Sequence, residues 1–195
     1  MAWQTVRYKW TSSAPLIMHN GQLADPMNKW GKLSKKITSK RKKTDADFEE
    51  LARLEFMGGL YLNAEGPVLP ADVVDGIVQT AAKKTREGLI AKSACFCPEH
   101  ARLEYDGPRE AKDLWEDERF RFASMVRVQQ AHVIRTRPIF RNWSAVVSLS
   151  IEDTLIDVAN VDGWMRVAGT QIGACDWRPK YGRFEAVRLG EAGQG

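Results

Sequence analysis

The most regular pattern along the chain is a period of two, in which apolar and polar side chains alternate. It is present in Trp3–Trp10, in Arg127–Arg135 and, most clearly, in Trp143–Ile151. Because successive side chains of a β-strand point to opposite faces, each segment is predicted to be a strand, with mixed faces in Trp3–Trp10 and one apolar face in Trp143–Ile151. A shorter strand is predicted for Phe184–Leu189.

Three other segments have the period of a helix. Thr44–Met57 begins with Thr44 and Asp47, a pair that resembles a capping box, and Gly58-Gly59 ends it. Ala71–Arg86 and Val158–Ile172 place apolar residues at i, i+3, i+4 and i+7. Each of the three is therefore predicted to be a helix with one apolar face.

The order of these elements predicts a fold. Without Thr44–Met57 and its flanking residues, the chain reads strand, helix, strand, strand, helix, strand. This β-α-β-β-α-β order is typical of an α+β protein with a ferredoxin-like, RRM-like core, in which two helices cover one face of a four-stranded antiparallel sheet. We predict that Arg127–Arg135 and Trp143–Ile151 form an antiparallel hairpin within it. Leu89–Phe96 is an alternative second strand.

The remaining residues are predicted to be insertions into one domain that spans residues 1–195. The first covers about 21–66, between the first strand and the first core helix, and the second covers 93–124, before the hairpin. The chain has 195 residues, of which 44% are hydrophobic, which is enough for one domain with a sizeable core. No apolar run predicts a membrane span, and Met1–Trp10 has no apolar core of a signal peptide.

Charge is unevenly distributed. The net charge is only +4, but residues 29–43, here called the basic segment, contain eight lysines and arginines and no acidic residue. Such a segment attracts a polyanion, or it is a solvated loop balanced by the acidic residues that follow it. We favour a phosphate-contact surface. Its predicted nucleic-acid contacts are Trp30, Lys35, Lys36, Lys40, Arg41, Lys42 and Lys43.

A second candidate site is the stretch of residues 173–184, here called the glycine loop. It contains two glycines, three cations and three aromatic residues. Glycine permits a tight turn and close approach of a ligand, cations bind phosphates, and an aromatic face stacks on a base with about 1–3 kcal/mol. The alternative is a helix-to-strand turn whose aromatic rings cap the core. The contacts predicted here are Trp177, Arg178, Lys180, Tyr181 and Arg183, with Arg137 added from an earlier connection.

The cysteines and histidines offer weaker candidates. Three cysteines, an odd number, do not favour a disulfide framework, and we expect a reducing, cytoplasmic compartment. Cys95, Cys97 and His100 have the spacing C-x-C-x-x-H, whereas zinc sites usually combine a C-x₂₋₄-C pair with a second pair. We therefore expect no metal and no cofactor. The chain has no P-loop, no G-x-S-x-G and no H-E-x-x-H motif, so we expect a binding protein rather than an enzyme.

Three short motifs, in this order, resemble the RAMP superfamily, to which the guide-RNA backbone subunits of CRISPR complexes belong. Ser13-Ala14-Pro15-Leu16 is similar to the S-P-L segment after the family's first strand. Pro67-Val68-Leu69-Pro70 is similar to the start of its P-x-I-P-x-S approach to the first helix, although Ala71-Asp72 replaces the usual small polar pair. Lys180-Tyr181-Gly182-Arg183 is similar to its G-[FY]-G-[KR] ending, with lysine at the first glycine. The resemblance covers the core and not the insertions.

The resemblance implies a small phage-encoded relative that acts in the cytoplasm of a bacterial host. It implies binding of single-stranded RNA or DNA along the backbone by copies stacked on the strand, with the basic segment as a thumb. One alternative is a protein that joins or inhibits a host CRISPR-type nucleoprotein complex. Another is a metal-independent RAMP-type endoribonuclease, with His19 as its candidate general acid or base.

Overall fold

The computed structural model describes residues 2–128 and 131–190, and it is an α+β protein with antiparallel sheets. The strands are β1 (Trp3–Ser12), β2 (Leu16–Ile17), β3 (Leu62–Asn63), β4 (Gly66–Leu69), β5 (Cys95–Phe96), β6 (Ala101–Glu104), β7 (Arg121–Val128), β8 (Ala131–Phe140), β9 (Ser144–Glu152) and β10 (Phe184–Leu189). The α-helices are α1 (Lys29–Thr38), α2 (Asp45–Gly59), α3 (Ala71–Ala82), α4 (Gly88–Ala94), α5 (Ala111–Glu116) and α6 (Val158–Val167), and Ala168–Ile172 continues α6 as a π-helical turn. In the described ranges, no helix combines the length and the apolar character that crossing a membrane requires.

The described residues divide into two compact units. The first contains residues 2–16, 67–106 and 141–190, and the second contains residues 17–66, 107–128 and 131–140. The segment predicted as the first insertion, 21–66, lies wholly in the second unit. The segment predicted as the second insertion is divided, because 93–106 belong to the first unit and 107–124 to the second.

The first unit is built on an antiparallel sheet with the strand order β10-β1-β9-β6-β4. Strand alternation sets its faces: Val6, Tyr8 and Trp10 of β1 are buried, whereas the residues between them are exposed. The apolar faces of α3 and α6 are buried as well, through residues such as Ile77 and Trp164. The strands predicted from Trp3–Trp10, Trp143–Ile151 and Phe184–Leu189 are thus confirmed, as are both helices.

A single carboxylate joins the turn after α3 to α6. Glu87 accepts hydrogen bonds from Thr85 Oγ1 at 2.6 Å, from Trp164 Nε1 at 2.7 Å and from Asn160 Nδ2 at 2.9 Å. The Thr85 hydrogen bond first, and then that of Trp164, hold the pKa of Glu87 below its ordinary value. The charged form is therefore the one that the fold stabilises.

Replacing Glu87 by glutamine should lower the free energy of unfolding by about 1 kcal/mol at pH 7, because hydrogen bonds to a charged acceptor are lost. Since the pKa of Glu87 is lower in the folded state, its stabilising contribution is complete above the unfolded pKa and disappears as the pH falls through the folded value. In urea denaturation, the difference in free energy of unfolding between the wild type and Glu87→Gln should therefore become smaller below about pH 4. Glu99→Gln, at an exposed position, is the control, and a pH-independent difference would contradict this account.

The second unit packs α2 against β8 of the β7–β8 hairpin. Glu55 of α2 is buried, and its carboxylate accepts hydrogen bonds from the Arg135 guanidinium and, at 3.0 Å, from the Thr136 backbone N–H. On the same helix, the Phe56 ring makes an edge contact with Trp115, with centroids 5.4 Å apart. A buried charge requires such partners, and Glu55 therefore joins α2 to β8 through these two hydrogen bonds.

The predicted hairpin of Arg127–Arg135 with Trp143–Ile151 is wrong. β8 pairs with β7, from Arg121↔Pro138 to Val128↔Ala131, whereas β9 pairs with β1, β5 and β6. The predicted strand Arg127–Arg135 is wrong as one element, because Arg127 and Val128 end β7 and Ala131–Arg135 begin β8. β7 also includes residues 121–124, which were predicted as the end of the second insertion, and only residues 129 and 130 separate it from β8. The shorter connection makes β7 the local hairpin partner.

The alternative second strand, Leu89–Phe96, is also wrong over most of its length. Gly88–Ala94 is the helix α4, which buries Ala91 and Ala94 at helical spacing, and only Cys95 and Phe96 pair with β9. β6 pairs with β9 further along the same strand. Two short strands therefore share the position that was predicted for one.

Candidate nucleic-acid interface

The basic segment begins with helix α1. The Asn28 side chain accepts a hydrogen bond from the Trp30 backbone N–H at 3.0 Å and so caps the helix. Ile37 is the buried residue of α1, and the four lysines of the helix are exposed. Those lysines are Lys29, Lys32, Lys35 and Lys36. A segment predicted from its charge therefore folds as an amphipathic helix with a cationic outer face.

Trp30 is a packing residue as well as a candidate contact. It is half-buried, and a Cβ added to Gly58 of α2 would lie 2.9 Å from the Trp30 Cβ. The Lys29 ammonium lies 4.6 Å from the centroid of the Trp30 ring. One function of this ring is therefore to hold α1 against α2.

The turn after α1 divides the remaining cations into two groups. Lys40 forms an ion pair of 2.6 Å with Asp47, and the Lys43 ammonium donates to the Lys40 carbonyl at 3.0 Å. The Lys40 hydrogen bond also holds the pKa of Asp47 below its ordinary value. In the part of the chain that the structure describes, Arg41 and Lys42 are exposed and have no carboxylate partner. The uncompensated cations of the segment are thus those of α1 together with Arg41 and Lys42.

The glycine loop has an unusual backbone. Gly173 and Gly182 have φ of 77° and 72°, and two non-glycine residues, Cys175 and Trp177, have φ of 59° and 54°. Each non-glycine residue in the left-handed region costs on the order of 1 kcal/mol, so surrounding contacts must hold the loop. The Ala174 N–H donates to the Gly182 carbonyl at 2.8 Å, and the Tyr181 N–H donates to the Trp177 carbonyl at 3.2 Å. The loop is therefore a built structure with its own hydrogen bonds.

This backbone brings several predicted contacts together. The rings of Trp177 and Tyr181 are half-buried, with centroids 6.0 Å apart, and the Lys180 ammonium lies 5.5 Å from the Tyr181 ring. Arg178 and Arg183 are exposed, and the Arg183 Nε donates to the Pro179 carbonyl at 2.7 Å. Cations and aromatic rings therefore share one short surface, as binding of a single strand requires.

The other candidates are placed separately. Arg137 is half-buried in β8 of the second unit, where it pairs with Phe122 in the strand register. His19 is exposed, and its backbone carbonyl accepts a hydrogen bond from Tyr61 Oη at 3.1 Å. The basic segment also belongs to the second unit, and the glycine loop belongs to the first.

One aromatic pair was missed by the sequence reasoning. Trp3 and Phe96 are 50% and 43% exposed, and their rings make an edge contact with centroids 5.2 Å apart. Trp3 lies on the exposed face of β1, which also carries Arg7 and Lys9. The alternation of β1 already placed Trp3 on that face, but no local signal placed Phe96 beside it.

Cys97 and His100 of the C-x-C-x-x-H motif form hydrogen bonds that support the fold. The Asp75 carboxylate accepts the Cys97 N–H at 2.7 Å, the Cys97 thiol donates to the Glu99 carbonyl at 3.1 Å, and His100 Nδ1 accepts the Ala71 N–H at 3.1 Å. Among the described residues, no group of His, Cys, Asp and Glu side chains is arranged to hold a metal ion. These groups instead support the start of α3 and the end of β5.

The thiols should be chemically inert in the folded protein. Burial raises the pKa of Cys95 to about 12, of Cys97 to about 11 and of Cys175 to about 12, so almost no thiolate is present at neutral pH. We expect all three to resist a thiol reagent such as DTNB until urea unfolds the chain. Rapid reaction of even one thiol in native buffer would contradict this result, and the unfolded protein is the control.

No protein-family model matches the chain, and comparison with the curated proteins finds no significant match.

Proposed function

We propose that the protein binds single-stranded nucleic acid through the phosphate backbone and coats the strand as stacked copies. The observation that carries this proposal is the cationic face of the basic segment. Lys29, Lys32, Lys35, Lys36, Arg41 and Lys42 are all exposed, and no acidic residue lies between positions 29 and 43. Neutralising phosphates with such cations releases counterions and supplies affinity without reading sequence.

The glycine loop supports the same function by a different interaction. Its rings supply faces on which bases stack, and three exposed cations, Arg178, Lys180 and Arg183, lie beside them. Stacking is tolerant of sequence because every base has an aromatic face. The preference for single strands is expected to come from this loop, since bases inside a duplex do not offer their faces.

The topology of the first unit supports a ferredoxin-like core within this proposal. With β5 and β6 taken together as the second strand, the spatial order is fourth, first, third, second (β10-β1-β9-β6), and every pair is antiparallel. The helices α3 and α6 connect the first strand to the second and the third to the fourth. This order supports the proposed β-α-β-β-α-β core, with the remaining elements as additions.

Contacts between the motifs support the proposed relationship to the RAMP superfamily. The Gly182 N–H donates to the Pro15 carbonyl at 2.7 Å, and the Ser13 N–H donates to the Arg183 carbonyl at 2.9 Å. Two segments that resemble family motifs, Ser13-Ala14-Pro15-Leu16 and Lys180-Tyr181-Gly182-Arg183, are therefore hydrogen-bonded to one another. The third ends at Pro70, the N-cap residue of α3.

Fluorescence anisotropy with labelled RNA and DNA strands of about 30 nucleotides, several binding sites long, tests this function. We expect single strands to bind more tightly than matched duplexes. If five phosphates are neutralised, affinity should fall about 10²-fold between about 50 and 200 mM salt. Size-exclusion chromatography should show complexes that grow with strand length.

Other outcomes of the same experiment would replace the proposal. Binding that does not depend on salt, or the absence of binding at low salt, would exclude a phosphate-contact surface and favour a protein partner. Shortening of the RNA during incubation would favour the endoribonuclease, and loss of that cleavage in His19→Ala would assign it to His19.

A further inference from the structure

A groove lies beside the last strand of the first unit. Its volume is about 770 Å³, and one wall is β10 while the other is α6 with its π-helical turn. The helix contributes Asp162, Arg166 and Thr170, and Tyr8 and Ser13 complete the lining together with residues 184–188. The groove shares only Phe184 with the glycine loop, so it is a separate feature of this unit.

The strand that forms one wall is the edge of its sheet. In the described part of the chain β10 pairs with β1 alone. Hydrogen-bonded and non-hydrogen-bonded pairs alternate along antiparallel strands. The hydrogen bond from the Ser13 N–H to the Arg183 carbonyl therefore determines which residues of β10 direct their backbone N–H and C=O groups toward β1. In the register Ser12↔Phe184, Glu185, Val187 and Leu189 direct their backbone groups to β1.

The backbone N–H and C=O groups of Ala186 and Arg188 therefore point away from the sheet. At Phe184 the edge is closed, since a Cβ on Gly169 would lie 2.0 Å from the Phe184 carbonyl oxygen. Beyond that point the outward groups of β10 remain available for pairing. An edge of this kind is a template for another strand.

The charges of the groove favour an acidic ligand. The Asp162 carboxylate accepts a hydrogen bond from Tyr8 Oη at 2.7 Å and lies 3.3 Å from the Arg188 guanidinium, so its charge is compensated. Arg166, one turn further along α6, is exposed and has no carboxylate partner among the residues described. Strand alternation places the Glu185 side chain on the opposite face from Ala186 and Arg188. The uncompensated charge on the helix side is therefore positive.

We propose that an extended polypeptide segment of a partner protein binds in this groove, adding a strand to β10 and placing an acidic side chain against Arg166. Alternating N–H and C=O groups on the open edge complement a peptide backbone, whereas a nucleic-acid backbone has no N–H donor for the carbonyls. A helix beside an edge strand then provides the second wall for side-chain contacts. The inference stands independently of the nucleic-acid-binding function.

Filamentous phage that display short random peptides provide the test, with the full-length protein immobilised. We expect enrichment of peptides in which β-branched residues alternate and an acidic residue recurs at one position. Arg166→Glu should shift the selection toward basic peptides at that position, whereas Lys92→Glu, an exposed control outside the groove, should not.

Ala186→Pro is the sharpest variant, because proline removes an outward N–H without removing a hydrogen bond to β1. Affinity for the best selected peptide should fall about tenfold in this variant, because the peptide loses its hydrogen bond with the backbone N–H of residue 186. The same peptide with alternate N-methylated amides should bind wild-type protein equally weakly, which keeps the test valid if the proline variant does not fold. In wild-type protein, the NMR amide signals of Ala186 and Arg188 should move on titration.

Three results would overturn the proposal. The first is the absence of any enriched peptide. The second is an N-methylated peptide that binds wild-type protein as tightly as the unmethylated peptide. The third is NMR signal changes confined to residues away from β10 and α6. A titration with oligo-dT provides the remaining comparison. If oligo-dT shifts the amide signals of Ala186 and Arg188 and the selected peptide does not, the groove would be assigned to nucleic acid.

Discussion

Replacing Lys35, Lys36 and Lys42 by glutamate should weaken binding of single-stranded nucleic acid by about 10²-fold or more at low salt. These three residues are exposed, and no carboxylate in the described chain compensates them. Each phosphate contact contributes about 0.7 to the slope of log affinity against log salt, so the slope should fall by about 2. Anisotropy titrations over a range of salt concentrations measure both quantities.

The matched control is Lys84→Glu, Lys92→Glu and Lys112→Glu, which makes the same change in net charge at three other exposed positions. This control should retain most of the affinity and most of the slope. Equal loss in both triple variants would mean that net charge, and not the basic segment, drives binding. Full affinity in the first variant would place the interface elsewhere, with the glycine loop as the next region to alter.

Gly182→Ala should be among the most destabilising single substitutions in the protein, lowering the free energy of unfolding by about 3 kcal/mol or more. Gly182 has φ of +72°, which an alanine adopts only with strain, and its added Cβ would lie 1.9 Å from the Ala174 carbonyl oxygen. The backbone must move to accommodate it. That movement would break the hydrogen bonds of Gly182 with Ala174 and Pro15.

Gly76→Ala is the matched control for this substitution. Gly76 lies within α3, and a Cβ there would have open space around it. Because alanine is a better helix former than glycine, this variant should be more stable by about 0.5–1 kcal/mol. Urea denaturation of both variants gives the two free-energy changes, and a neutral Gly182→Ala would show that the loop does not have this conformation.

Gly182→Ala also links stability to the proposed function. The loop holds Trp177, Lys180 and Tyr181 close together through a backbone with strained positions, and residues in sparsely populated conformations often occur at functional sites. A variant that remains folded at low temperature should therefore bind single strands less tightly than the wild type. Binding of nucleic acid through the basic segment, which belongs to the other unit, should persist in this variant.

The elements whose signals are local could be predicted from the sequence alone. The alternation of Trp3–Trp10 became β1, Phe184–Leu189 became β10 with the same bounds, and Thr44 with Asp47 forms the capping box that starts α2. Each signal depends on residues a few positions apart, and the period of the side chains is enough to specify it. The cationic character of the basic segment was visible for the same reason.

The pairing of the strands and the compensation of the charges depend on contacts that form only in the folded chain. The alternation of Arg127–Arg135 predicted one strand, but these residues span the end of β7 and the start of β8, and the two strands pair with each other. Alternation states that one face of a strand is buried, but it does not identify the neighbour. The same limit explains α4, where the burial of Ala91 and Ala94 revealed a helix in a run expected to be a strand.

The candidate site follows the same division. Its residue types were visible in the sequence, but the packing of Trp30 against Gly58, the ion pair of Lys40 with Asp47 and the contact of Trp3 with Phe96 were not. Glu55 is the clearest case. Its partner Arg135 is far away in the chain, and the hydrogen bond between them allows a charged side chain to be buried. Propensity and periodicity act over a few residues, whereas burial and charge compensation depend on neighbours that the chain brings together only when it folds.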